Sequence, residues 1–162
     1  MEHIERLVDG FVAGRLTRRD LIASVAALVA GAARAEAQTM AAKGRTLNHV
    51  SLAVSDVEKS AAFYAKVLDL QVVSRPGNGG INLGLGPSFL GVYKLANPGT
   101  VNHCCIGVDD YDPERIAAKL QAQGIRATVD RNPANRTSGG DQLYFVDPDG
   151  TRIQLSANGY QG

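Results

Sequence analysis

The segment Thr46-Leu-Asn-His-Val-Ser-Leu-Ala-Val-Ser-Asp56 aligns without a gap to Thr100-Val-Asn-His-Cys-Cys-Ile-Gly-Val-Asp-Asp110, and five of the eleven positions are identical. Both copies alternate like a half-buried strand, so His49, Ser51 and Ala53 share one face and Val50, Leu52 and Val54 the other. A repeat of this kind marks a duplicated supersecondary unit, and the flanking residues agree. After the first copy, Ser55-x-x-Glu58 reads as a capping box, and Val57, Ala61, Tyr64 and Leu68 form an apolar helical stripe. After the second, Asp112 is placed to cap, Pro113 to open the helix, Ile116 and Leu120 to face inward, and Gly124 to end it. Strand-like stretches follow at 70–74, 81–85 and 89–95 in one copy, and at 125–129, 142–146 and 151–156 in the other. The turn Asp147-Pro-Asp-Gly150 joins the last two. Each copy therefore predicts β-α-β-β-β, with units at 46–99 and 100–158 of a domain at 46–162, and the fold class is α+β.

Residues 1–45 differ in kind. Ile4, Leu7, Val8 and Phe11 recur at helical spacing. Beyond them lie Thr17-Arg-Arg-Asp-Leu-Ile22, a charge-free run from Leu21 to Ala33, and Ala35-Glu-Ala37. A basic pair, a short apolar segment and a small-x-small site are the parts of an export signal in order. The Arg pair before Leu-Ile resembles a twin-arginine signal, which implies a periplasmic or secreted protein. The alternative is a retained amphipathic N-terminal helix in a cytoplasmic protein. Residues 39–45 read as a linker.

Composition narrows the function classes. Of 162 residues, 44% are hydrophobic and 20% charged, enough for a core. Seventeen basic against sixteen acidic residues leave a formal +1, and there is no Trp, so neither the charge nor the stacking platform of a nucleic-acid binder is present. No apolar run reaches the ~18 residues of a membrane span. The two cysteines, Cys104 and Cys105, are sequence neighbours and poorly placed to bond to each other.

The repeated Asn-His pair is the candidate chemistry. Neutral imidazole is the commonest metal ligand, and equivalent positions in paired units would bring His49 and His103 close. The alternative for a strand histidine is a satisfied core residue.

Two β-α-β-β-β units that each open on an Asn-His strand, with a closing Asp147-Pro-Asp-Gly-Thr-Arg-Ile-Gln-Leu155, resemble the vicinal oxygen chelate superfamily. That superfamily includes glyoxalase I, extradiol dioxygenases and bleomycin-resistance proteins. The resemblance implies a curved, cup-shaped mixed sheet with flanking helices, preceded here by an N-terminal helical leader. It also implies one divalent metal ion (Fe, Mn, Zn or Ni) inside the cup, a small-molecule substrate chelating it through neighbouring oxygens, and a homodimer. Carried over, the ligands are His49, His103 and Gln154, the last standing where the family pattern has Glu. A second Glu of that pattern falls near Gly91, and no carboxylate exists between Asp69 and Asp109. Tyr93 is the candidate proton donor or hydrogen-bond partner, with a half-buried aromatic as the alternative. Cys105, on the face of His103, and Arg136, in the loop 132–141, are candidate substrate contacts; the alternatives are a small apolar filler and a solvated surface residue. The expected function is a metal-dependent lyase, isomerase or ring-cleaving oxygenase, and the alternative is a metal-free sequestering protein of the bleomycin-resistance type.

Overall fold

The protein is described by a computed structural model covering residues 2–162, except the side chains of residue 2 and of residues 32–39. The expected cleavage site at Ala35-Glu36-Ala37 has its side chains outside the described residues. The chain divides into two units, Met1–Met40 and Ala41–Gly162. In the first, α1 (Glu2–Val12) precedes α2 (Arg18–Thr39). Thr17 and Asp20 cap α2 reciprocally: the Asp20 amide donates to Thr17 Oγ1 at 3.2 Å, and the Thr17 amide donates to Asp20 Oδ2 at 3.0 Å. The arginine pair thus opens the first turn of α2. Ile4, Val8 and Phe11 of α1 are exposed, and no helix among the described residues is long and apolar enough to cross a membrane.

In the second unit the two repeated segments become β1 (Gly44–Val54) and β5 (Thr100–Val108), antiparallel neighbours. After β1 come α3 (Val57–Leu68), β2 (Val72–Ser74), β3 (Ile81–Leu85) and β4 (Ser88–Lys94). After β5 come α4 (Pro113–Ala122), β6 (Thr128–Asp130), β7 (Gln142–Val146) and β8 (Arg152–Ala157). One eight-stranded sheet results, in the order β2-β3-β4-β1-β5-β8-β7-β6, so both halves follow the same course away from a central β1–β5 seam. The β1–β4 and β5–β8 pairs are parallel and the rest antiparallel.

Local chemistry sets the helices. Asp112 accepts the Arg115 amide at 3.0 Å with Pro113 in the first helical position, and Gly124 (φ 76°) turns the chain so that the Ile125 amide reaches Leu120 O at 2.9 Å. The cap of α3 is Asp56 rather than Ser55; its carboxylate, one residue nearer the helix, accepts the Lys59 amide at 2.9 Å. Leu68, expected to face inward, is exposed at the end of α3, and Leu70 joins the core instead.

Side chains alternate across the sheet. Ile81, Leu83 and Val92 pack with Ala61 of α3, while Val108, Leu143 and Leu155 pack with Ile116 and Leu120 of α4. The intervening residues His49, Ser51, Asn82, His103, Gln142 and Gln154 are buried and polar. The edge strands β2 and β6 are shorter than 70–74 and 125–129 because Leu70, Ile125 and Ala127 pack into the core first. The stretch read as a linker is partly strand, since β1 already starts at Gly44 and Ala41 and Ala42 pack against the α4 cluster.

Candidate metal centre

The β1–β5 register is broken at the two Asn-His steps. Leu47 pairs with Ile106 and His49 with Cys105, which leaves Asn48 as an extra residue; Ser51 pairs with His103 and Leu52 with Val101, which leaves Asn102. Each is a β-bulge on an opposite strand of the seam. On a regular strand Asn and His would point to opposite faces. Here each Asn turns back to its neighbour: Asn48 Oδ1 lies 2.9 Å from His49 Nδ1, and Asn102 Oδ1 lies 2.8 Å from His103 Nδ1.

Those contacts fix the proton positions. Asn48 Nδ2 donates to the Tyr160 carbonyl at 2.9 Å, so its oxygen is what faces His49. Asn102 Oδ1 also accepts from Arg152 Nη1 at 3.4 Å, and a guanidinium only donates. Both Nδ1 atoms therefore carry the proton, and both Nε2 atoms present a lone pair. The two Nε2 atoms are 3.2 Å apart. Burial pushes His49 down to about 3, helped by His103, and His103 down to about 4, helped by Arg152, so neither ring is protonated at neutral pH. The Gln154 side chain lies against both imidazoles and favours their charged forms, and its Nε2 is buried without a partner. With Nε2 unpartnered, the amide oxygen is the Gln154 atom left to act as a ligand beside the rings.

Two imidazole nitrogens 3.2 Å apart and the Gln154 amide share the floor of one pocket. A divalent cation satisfies such a set, and the residues fit one: two imidazole nitrogens and an amide oxygen, with each imidazole oriented by an Asn behind it. All three donors are neutral, and among the described residues no three His, Cys, Asp or Glu side chains gather.

The pocket over this cluster has about 130 Å³ of room and takes side chains from β1, β4, β5, β7 and β8, as only a curved sheet allows. Phe89 stacks on His49 with ring centroids 4.2 Å apart, and Tyr144 meets His103 edge-on at 5.4 Å. Tyr93 lines the pocket. Its ring fills a slot between Gly80 and Gly91, where a Cβ at Gly91 would come within 2.5 Å of it. Its hydroxyl donates to Asn82 Oδ1 at 2.6 Å, and burial raises its pKa further above the phenol range. Gly91 pairs with Ser51 as Gln154 pairs with Cys105, so Gly91 is the counterpart of Gln154 in the other half.

Two expected contacts do not reach the pocket wall. Cys105 is fully buried beneath it; its thiol donates to Ser156 Oγ at 3.2 Å and is pushed up to about 12 by burial. Arg136 is held by Asp141 at 2.7 Å and by the Asn132 carbonyl at 3.2 Å. Sequence reading missed Arg152, whose guanidinium sits 4.1 Å from the Tyr144 ring centre at the pocket wall, and Asp130, whose oxygens accept from Asn132 and Asn135. It also missed Tyr160, which is buried beside His49 and accepts from Gln142 Nε2 at 2.8 Å. The dipeptide Arg152-Ile153 in the closing hairpin was the available signal for Arg152; nothing local marked Tyr160.

Both imidazoles titrate near 6.5 when unfolded and well below that when folded. Below pH 6.5 the unfolded chain therefore binds more protons, and stability falls as pH drops toward 4, by at most about 1.4 kcal/mol per pH unit for each ring. Urea denaturation of metal-free protein between pH 7 and 4.5 should show this loss, and His49→Asn should reduce it to about the share of one ring, His103. An unchanged slope in that variant would assign the loss to other groups.

The sequence model described as Glyoxalase/Bleomycin resistance protein/Dioxygenase superfamily matches residues 46–155. The chain is 29% identical over 118 residues to the glutathione transferase FosA of Serratia marcescens, covering 68% of this chain and 79% of that protein. Among solved structures, the 2,3-dioxygenase LapB from Pseudomonas sp. KL28 superposes with a TM-score of 0.62 at 22% identity, over 74% of this chain and 42% of that one. The chain thus spans less than half of that dioxygenase. A variant of Streptomyces coelicolor methylmalonyl-CoA epimerase superposes with a TM-score of 0.54 at 18% identity, over 72% of this chain and 99% of that one. Those two likenesses establish the fold; the match across 46–155 establishes that the chain belongs to the glyoxalase, bleomycin resistance protein and dioxygenase superfamily.

Proposed function

We propose that the protein is a divalent-metal-dependent enzyme of the lyase, isomerase or ring-cleaving oxygenase kind, acting on a small molecule with neighbouring oxygens. His49, His103 and Gln154 hold the ion. The observation that carries this reading is the 3.2 Å approach of the two Nε2 atoms, which the Asn48 and Asn102 contacts at Nδ1 leave without protons. The relatives named as a transferase, a dioxygenase and an epimerase support an enzyme over a scaffold. A bound ion supplies a Lewis acid that polarises a substrate oxygen.

The chain's own residues do the rest. Asn48 and Asn102 hold the Nδ1 protons, so both rings stay oriented. Phe89, Tyr144 and Tyr160 line the pocket with aromatic surface, which keeps water from the donors and strengthens electrostatic interactions there. Tyr93 keeps its proton at physiological pH and directs it at Asn82; it delivers that proton to a substrate only after releasing Asn82. The neutral donor set favours a second reading, a metal-free sequestering protein on the same scaffold.

Elemental analysis separates the two. Protein purified without affinity-tag metal, then dialysed against Fe²⁺, Mn²⁺, Zn²⁺ or Ni²⁺, should retain about one equivalent of one of them. His49→Ala and His103→Ala should abolish retention, and Asn102→Leu should weaken it by about 10- to 100-fold. Absence of metal under every condition would leave only the sequestering reading.

We also propose that the segment up to Ala37 directs export. Protein recovered from the native cell envelope should then have an intact mass that begins at Gln38. A full-length mass there would instead make α2 a permanent part of the protein.

A further inference from the structure

Charge in the pocket is distributed unusually for a cation site. The three donors His49, His103 and Gln154 carry none, and the counterpart position in the other half is Gly91. The carboxylate that lines the pocket, Asp130, has one oxygen on the Asn132 amide at 2.8 Å and the other on Asn135 Nδ2 at 2.6 Å. Arg152 brings a positive charge to the same wall, and among the described residues it forms no ion pair. A metal ion here keeps its full charge, next to a guanidinium, with no protein anion bound to it.

Two further groups point the same way. Ser51 Oγ and Gln154 Nε2 are buried without a hydrogen-bond partner, and both side chains line the pocket. Each residue is about 1% exposed, so water does not compensate them freely. A hydroxyl and an amide N–H are both able to donate, and Arg152 adds the donors of its guanidinium. Asp130 and Arg152 offset each other in charge, so once a divalent ion is in place the pocket has spare donors and a net positive charge, which is complementary to oxygen anions.

We propose that this pocket takes its metal and its anion together: a divalent cation binds tightly only with a dianionic oxygen chelator, whose charge replaces the carboxylate that Gln154 lacks. Ser51, the Gln154 amide and Arg152 receive the anion. This rests on the metal reading above and adds the class of ligand. Because binding free energies are linked, the metal must tighten the anion by the same factor that the anion tightens the metal.

The test uses the full chain, Mn²⁺ and oxalate, with free Mn²⁺ buffered to the same activity in every arm. Mn²⁺ affinity is read by electron paramagnetic resonance alone, with oxalate, and with ethane-1,2-diol as the neutral chelator. Oxalate should tighten Mn²⁺ by about 10- to 100-fold and the diol should not. In Gln154→Glu, Mn²⁺ alone should bind more tightly and the oxalate effect should shrink toward unity. Arg152→Met, an exposed change, should reduce the oxalate effect as well. Equal Mn²⁺ affinity with and without oxalate in the parent protein would overturn the inference while leaving the metal site standing. No Mn²⁺ binding in any arm would remove the metal reading, and this inference with it.

Discussion

A lone pair facing a lone pair at 3.2 Å is an arrangement that a protein interior resists, and here the backbone imposes it. Each imidazole is placed by an inward strand position next to a bulged asparagine, and the two bulges lie on opposite strands of one antiparallel seam. Neither ring can relieve the contact by moving its proton, because Asn48 and Asn102 hold the Nδ1 hydrogens with oxygens that are themselves fixed by Tyr160 and Arg152. Neither relieves it by gaining a proton, because burial opposes the charge. The sheet, the helices packed behind it and the aromatic wall hold the two rings in that contact.

The two halves share a course but not a chemistry. Across the β1–β4 ladder Ser51 meets Gly91, and across the β5–β8 ladder Cys105 meets Gln154. One strand further out, Asn82 pairs with Gly91 where Tyr144 pairs with Gln154. The first half therefore lacks bulk beside the histidines, and the Tyr93 ring occupies the space. The second half keeps an amide donor and screens it with Tyr144 and Arg152. Of the candidate donors, two come from the seam and one from the second half.

Much of this was legible in the sequence, for physical reasons. The repeated strand, its alternation and the Asp112-Pro113 and Gly124 helix ends are local signals, and the strands at 81–85 and 142–146 fall where their periodicity puts them. The pairing of His49 with His103 followed from duplication alone. The role of the asparagines did not: a bulge is a property of two strands in register, and a one-strand pattern assigns Asn48 to the far face. Cys105 makes the complementary point, and its burial matches the alternative of a small filler. It shares a face with His103, but face is not reach, and its short side chain ends on Ser156 beneath the pocket. Tyr160 comes to His49 from the segment after β8, through contacts with Asn48 and Gln142 that no periodicity encodes.

The tautomers are the point at which this account is most directly exposed. Nitrogen-15 spectra of the imidazoles in metal-free protein, recorded from pH 6 to 8, report which ring nitrogens carry hydrogen. Both His49 and His103 should be neutral throughout, protonated at Nδ1 and bare at Nε2. A proton on Nε2 of either ring, or an imidazolium at pH 6, would contradict it, because the two nitrogens would then be bonded to each other and have no need of a cation.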